Sequence, residues 1–386
     1  MHYQDTYNIE DLRKAAQCRL PKMCFDWLDG GSEDHVTWRR NRQAFEEIRF
    51  RPKVMVDVGK RSAATELFGR QHTMPIGLAP TGATGLYWHR ADVALARAAR
   101  DAGIPFVLST ASFDPLETVA REAEGGTRWF QLYMSKNRDS AGRLVQRALD
   151  AGFEALVVTG DVPVIGNREY NRRNRFSVPF RMNLPTVVDG LLHPRWLMTT
   201  FFRTLLADGV PRYQNDDSQP GTQKVTQISF QARRDEIDWD DVRWLRAHWP
   251  HKLFVKGVLR GDDAAMAERC GADGVFLSNH GGRQLDGSIS PIDALPEVRA
   301  AVSPGFKVMV DGGIWRGSDV AKALALGADM AFVGRATLYG LAAGGEAGVS
   351  HALSILRAEF DRTLAQLGCL RPADITPDCL FGRLAA

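Results

Sequence analysis

From about residue 76 onward, short apolar runs alternate with segments whose apolar positions recur at helical spacing, the signature of a parallel sheet built from βα units. The runs are IGLAP (76–80), FVLST (106–110), WFQLY (129–133), ALVVT (155–159), LFVKG (253–257), GVFLS (274–278), KVMVD (307–311) and MAFVG (330–334). Between them, 91–102, 139–151 and 316–326 read as helices, and AGF, CGAD and LGAD mark helix ends with glycine, as a C-terminal cap prefers. Eight strand–helix repeats predict a closed (β/α)₈ barrel rather than an open sheet.

The polar residues fall at the ends of the runs: Pro80-Thr81, Ser109, Gln131 and Tyr133, Thr159 and Asp161, Lys256, Ser278, Asp311 and Arg335. In such a barrel those ends converge on one face, where the following loops build the active site. One connection breaks the rhythm. Residues 160–252 are far longer than an ordinary loop and predict an extension of that rim. Residues 1–75 predict a helical lid, with KMCFDWLDGG ending a helix at Gly30-Gly31. With no low-complexity linker and no solenoid repeat, residues 1–386 are expected to form a single decorated domain.

Composition narrows the functional classes. At 44% hydrophobic and 25% charged the chain is globular, and a formal charge of +3 gives no electrostatic case for a nucleic-acid partner. The charge is unevenly placed, however: residues 168–212 hold eight arginines against three acids, so an anionic surface would meet that segment. Five cysteines without C-x-x-C spacing are expected to be reduced thiols of a cytoplasmic protein. The first residues lack the apolar stretch of a secretion signal, and no run approaches the roughly 18 apolar residues of a spanning helix.

The chemistry gathers after the strands. SNHGGRQLDG (278–287) sets a proton acceptor, His280, three residues before a cation, Arg283, on a glycine backbone that lets a ligand approach closely. Arginine's planar fork suits a carboxylate. TGDVPVIGNRE (159–169) offers Asp161 to orient the imidazole and Arg168 as a second anchor. Lys256 follows a buried run and requires an anion, either a reduced flavin or a structural partner. Asp311-Gly312-Gly313 and Gly334-Arg335 end the seventh and eighth runs, where barrels of this kind hold phosphate.

Across its whole length the chain resembles the FMN-dependent 2-hydroxy acid dehydrogenases and oxidases, through RLPKM, APTG, FQLY, VKG, SNHGGRQLD, DGG, ALALGAD and GRA in that order. The resemblance implies an enzyme that oxidises a small (S)-2-hydroxy acid, mandelate- or lactate-like, to the 2-keto acid. It implies His280 as the base, Asp161 as stabiliser of the imidazolium, Tyr133 as a hydrogen-bonding partner of the substrate oxygen, and Arg168 with Arg283 on the carboxylate. FMN would lie on Pro80, Thr81, Gly82, Ser109, Gln131, Thr159 and Ser278, with Lys256 near N1. Its phosphate would lie at Asp311, Gly312, Gly313, Arg316, Gly334 and Arg335. A homo-oligomer of tetramer type is implied as well. Two positions depart from the pattern: Trp27 stands where the family has a carboxylate-binding tyrosine, and Trp315 where it usually has an arginine near the phosphate.

Within the long connection, 187–209 mixes Leu191, Leu192, Trp196, Leu197, Phe201, Phe202, Leu205 and Leu206 with Arg195 and Arg203. That composition describes an interfacial segment lying on a membrane surface, or else a helix packed on the barrel or on another subunit. The resemblance favours the membrane, at the inner face of the cell membrane, and with it a quinone as electron acceptor. The rival readings are an oxidase releasing peroxide, and a flavin-binding barrel whose catalysis is altered.

Overall fold

The computed structural model describes residues 2–135, 137–175, 184–215 and 236–381. Each expected run contains a strand: β1 (Ile76–Leu78), β2 (Phe106–Ser109), β3 (Arg128–Leu132), β4 (Ala155–Thr159), β5 (Lys252–Val258), β6 (Gly274–Leu277), β7 (Lys307–Asp311) and β8 (Met330–Val333). All eight pair in parallel, and β8 returns to β1 with Ala331 opposite Ile76, closing the barrel. Inside, Trp129, Phe254, Phe276 and Phe332 interlock, with Trp129 and Phe254 stacked at 5.0 Å between centroids. Gly77 makes room for this cluster, since a Cβ there would lie 2.3 Å from the Phe332 ring.

The N-terminal region is a lid only in its first part, where α1 (Ile9–Arg19), α2 (Lys22–Asp29) and α3 (Val36–Glu47) cross the rim. The expectation of a helical lid through residue 75 is corrected beyond Glu47. Arg49–Phe50 pairs with Leu380–Phe381, and Thr65–Leu67 folds back on Arg70–His72. Phe68 and Gly69 both have positive φ, the geometry of a tight two-residue hairpin turn. This hairpin closes the opposite end of the barrel, with Leu67 in the interior cluster and Phe68 against Phe254.

The long connection is also shorter than expected. The helix Trp239–His248, capped by Asp238, is the ordinary crossover from β4 to β5, so the extra chain is 160–238 rather than 160–252. Its stretches 176–183 and 216–235 lie outside the described residues. Residues 184–208 form an arm of short helices, Leu184–Leu191 and Pro194–Trp196, then π-helical turns Leu197–Phe202 running into Arg203–Asp208. The eight apolar side chains of this segment divide by face. Trp196 is buried and donates from Nε1 to the Leu86 carbonyl at 2.7 Å, and Leu197 and Phe201 pack beside it. Leu191, Leu192, Phe202, Leu205 and Leu206 are exposed, together with Leu184 and Met198.

Candidate active site

The loop after β6 turns sharply: His280, Gly281 and Gly282 all have positive φ, at 57°, 65° and 71°. For a histidine this left-handed backbone is uncommon and persists only where its surroundings fix it. Here the Ser278 hydroxyl accepts from the His280 N–H at 3.1 Å, and His280 Nδ1 meets Asp161 Oδ1 at 3.1 Å. Asp161 reaches this position because residue 257, across from it, is glycine; a Cβ there would sit 2.5 Å from the Asp161 Cβ. On the other side of the ring, Nε2 faces the Tyr133 hydroxyl at 3.5 Å.

Burial lowers the His280 pKa, and Lys256 and Arg168 add to that; together they outweigh the opposing pull of Asp161, so the ring stays neutral at neutral pH. Burial pushes Asp161 up, but the His280 charge and hydrogen bond and the nearby Lys256 hold its carboxyl below the usual range. A neutral imidazole fixed by an ionised carboxylate is the arrangement of a general base.

Lys256 is almost fully buried, 2.7 Å from Asp311 and 2.5 Å from the Ser278 hydroxyl. Burial works against its charge, yet Asp311 and Asp161 prevail and it remains a cation. Asp311 is therefore the lysine's partner rather than a phosphate ligand, a correction to the reading of the DGG turn. A second correction concerns Arg316. It begins the helix Gly317–Ala325 and points outward to Glu359 at 2.6 Å, away from the cavity. Ser109 and Ser278 stand behind the wall: Ser109 donates to Gln131 Oε1 at 2.9 Å, and Gln131 Nε2 donates to Thr159 at 2.9 Å.

Three half-buried arginines converge above the ring, and none pairs with an acid among the described residues. Arg283 donates to the carbonyls of Trp27 and Gly30. Arg335 donates to Leu28, Gly30 and Gly281. Arg168 is pushed down to about 10 by burial and by Arg283. The Trp27 ring lies 5.3 Å from the guanidinium carbons of both Arg168 and Arg283. Such a concentration of positive charge calls for an anion.

A cavity of about 880 Å³ runs through the site, within the range of cofactor pockets. Pro80, Thr81, Gly82, Gln131, Thr159 and Lys256 line one part, and Gly312, Gly313, Trp315, Gly334 and Arg335 another. Gly312 and Gly313 have φ of 90° and 83°, and the long helix beginning at Arg335 presents its N-terminus beside them. Free amide groups at a helix N-terminus suit a phosphate, and a buried lysine suits an electron-rich ring, so this donor set fits FMN. Sequence reading placed only Trp27 of the lid in the site and missed the part played by α3. Asn41 on α3 exchanges two amide hydrogen bonds with Asn279 at 2.8 and 2.6 Å, and Trp38 lines the cavity and meets Trp315 edge to face. Tyr87, in the loop after β1, also lines it and was not singled out.

Barrel, base and anion cradle together define a flavin-dependent 2-hydroxy acid dehydrogenase. The chain belongs to the FMN-dependent dehydrogenase family, whose model matches residues 16–381. It is 47% identical over 379 residues to the (S)-mandelate dehydrogenase of Pseudomonas putida, covering 98% of this chain and 94% of that protein. It is 40% identical to the L-lactate oxidase of a Nostoc species, over 95% of this chain and 96% of the relative. Among solved structures, that of the monotopic membrane protein (S)-mandelate dehydrogenase superposes with a TM-score of 0.91 at 45% identity, covering 98% of this chain and all of the other. The chain is thus an FMN-dependent enzyme of 2-hydroxy acid oxidation.

Proposed function

We propose that the substrate is an aryl 2-hydroxy acid of the (S)-mandelate kind, oxidised at a membrane surface with a quinone as electron acceptor. The observation that carries the substrate reading is the wall beside the arginines. Trp27, Val162, Ile165 and Tyr213 line the cavity there and offer an apolar, aromatic seat to a ring whose carboxylate lies on Arg168 and Arg283. The similarity to mandelate dehydrogenase supports the same reading.

In this mechanism the bidentate forks of the two arginines fix the carboxylate, which turns the 2-position toward His280. His280 Nε2 takes the substrate's proton. Asp161, on the far nitrogen, stabilises the imidazolium, and Tyr133 hydrogen-bonds the substrate oxygen. Bound FMN supplies the two-electron acceptor. Lys256, kept cationic by Asp311, places a positive charge where that acceptor becomes electron-rich.

The exposed leucines of the arm, with Arg195 and Arg203 exposed among them, support attachment to an anionic bilayer. No helix among the described residues is long and apolar enough to cross a membrane, so attachment is to one face. Anaerobic bleaching of the flavin against aliphatic and aromatic 2-hydroxy acids tests the substrate assignment. Fast bleaching by (S)-mandelate is expected. Bleaching by L-lactate alone would overturn the aryl reading, and peroxide formation matching substrate consumption under air would overturn the quinone reading.

A further inference from the structure

Trp27 removes a phenol from the anion cradle, and indole can donate one hydrogen bond but accept none. A second phenol reaches the same cradle from another element. Tyr87 lies in the loop after β1, with 2% of its surface exposed, and its side chain lines the cavity. Its backbone is fastened from outside: the carbonyl accepts from Arg19 of α1 at 3.0 Å and from the Thr200 hydroxyl of the arm at 3.3 Å. The side chain therefore runs inward from a fixed point. Its hydroxyl finds no hydrogen-bond partner among the described residues. Burial raises the phenol far above its ordinary range, so it is a proton donor at any working pH, and Arg283 and Arg335 are the cations that act on it.

A hydroxyl that reaches a cavity wall with no protein partner is free to donate to a ligand bound there. We propose that Tyr87 donates its hydroxyl to the substrate carboxylate held by Arg283, taking over from the arm side the contact that Trp27 cannot make. The inference deepens the 2-hydroxy acid reading above and rests on it. Tyr170 provides an internal comparison. Its hydroxyl is unpartnered as well but fully buried, its ring packs against Gly30, where a Cβ would lie 2.5 Å from it, and it does not line the cavity. Tyr170 therefore has no part in substrate binding.

The test uses the FMN-loaded enzyme and (S)-2-phenylpropionate, which has the ring and carboxylate of mandelate but no hydroxyl to oxidise. Binding is followed by the perturbation of the flavin spectrum. Tyr87→Phe is expected to weaken binding about tenfold or more, the effect of losing a hydrogen bond to a charged group. KM for (S)-mandelate should rise in step while kcat stays within about threefold, because the contact is made equally before and during reaction. Tyr170→Phe should leave both unchanged, and Trp27→Tyr added to Tyr87→Phe should recover binding. Tyr87→Phe binding phenylpropionate within about twofold of the parent would overturn the proposal. Pyruvate is titrated in parallel. A parent enzyme that binds pyruvate but not phenylpropionate would remove the aryl reading alone, and Tyr87 would then be judged by the same ratio with pyruvate.

Discussion

Two segments leave the same rim and break the rule of burial in opposite directions. After β6, polar side chains are taken out of water and held by more than one partner each: His280 between Asp161 and Tyr133, Asn279 against Asn41 and the Ile289 carbonyl. After β4, the arm keeps Leu192 and Leu206 in water at 73% and 86% exposure while burying Trp196 and Thr200. Neither pattern serves the fold. A buried polar cluster gives less stability than apolar packing would and is kept where it performs chemistry, and a row of exposed leucines costs solubility unless it meets an apolar surface. Function is sought where burial is inverted, and the direction of inversion separates the reaction site from the proposed attachment surface.

The largest expected effect breaks the first region. His280→Asn should slow anaerobic flavin reduction by about 10⁴-fold or more while the protein stays yellow, because the base is lost and the cavity is not. Near-normal reduction in stopped flow would end the assignment of His280. A smaller effect is expected in the second region. Leu192→Asp with Leu206→Asp should lower partitioning onto anionic vesicles by more than about tenfold, since each buried leucine contributes roughly 1.5–3 kcal/mol, while kcat is unchanged. Unchanged sedimentation with lipid would make the arm a protein contact. Trp196→Ala sharpens the contrast within the arm, for it should lower Tm rather than membrane binding. The smallest effect is in pH. With neutral His280 as the proposed base and its pKa lowered from 6.5, kcat/KM should hold as pH falls through 6.5 and decline only below it. A decline beginning above 6.5 would contradict the burial argument.

Much of this was legible in the sequence, for identifiable reasons. Strand positions followed from apolar runs, and the site followed from polar residues at their ends, because a closed barrel gathers those ends. The errors share a cause as well. Arg316 is adjacent in sequence to the glycine turn, but it starts a helix that turns its side chain outward to Glu359. Asp311 was grouped with the glycines after it, whereas the strand it ends aims it at Lys256. In the arm, composition could not separate the buried face from the exposed one, since π-helical turns shift the periodicity and the docking partner, the Leu86–Tyr87 backbone, lies far away in sequence. Tyr87 itself sits in an irregular loop where no period marks it.

Closure of the barrel has a consequence for how the molecule is made. β1 begins at Ile76, and the strand that completes its hydrogen bonding holds Ala331. Until that late strand is available, β1 is an open edge of apolar residues, a template for pairing with other chains. Contacts this distant in sequence form slowly, because the loop between them must be closed before they stabilise anything. His280, after β6, and Asp161, after β4, are available earlier, but the cavity they face lacks its Gly334–Arg335 side until β8 docks. Cofactor uptake is thereby tied to closure of the barrel, and a chain stopped short of residue 330 would have neither a closed sheet nor a complete seat for flavin.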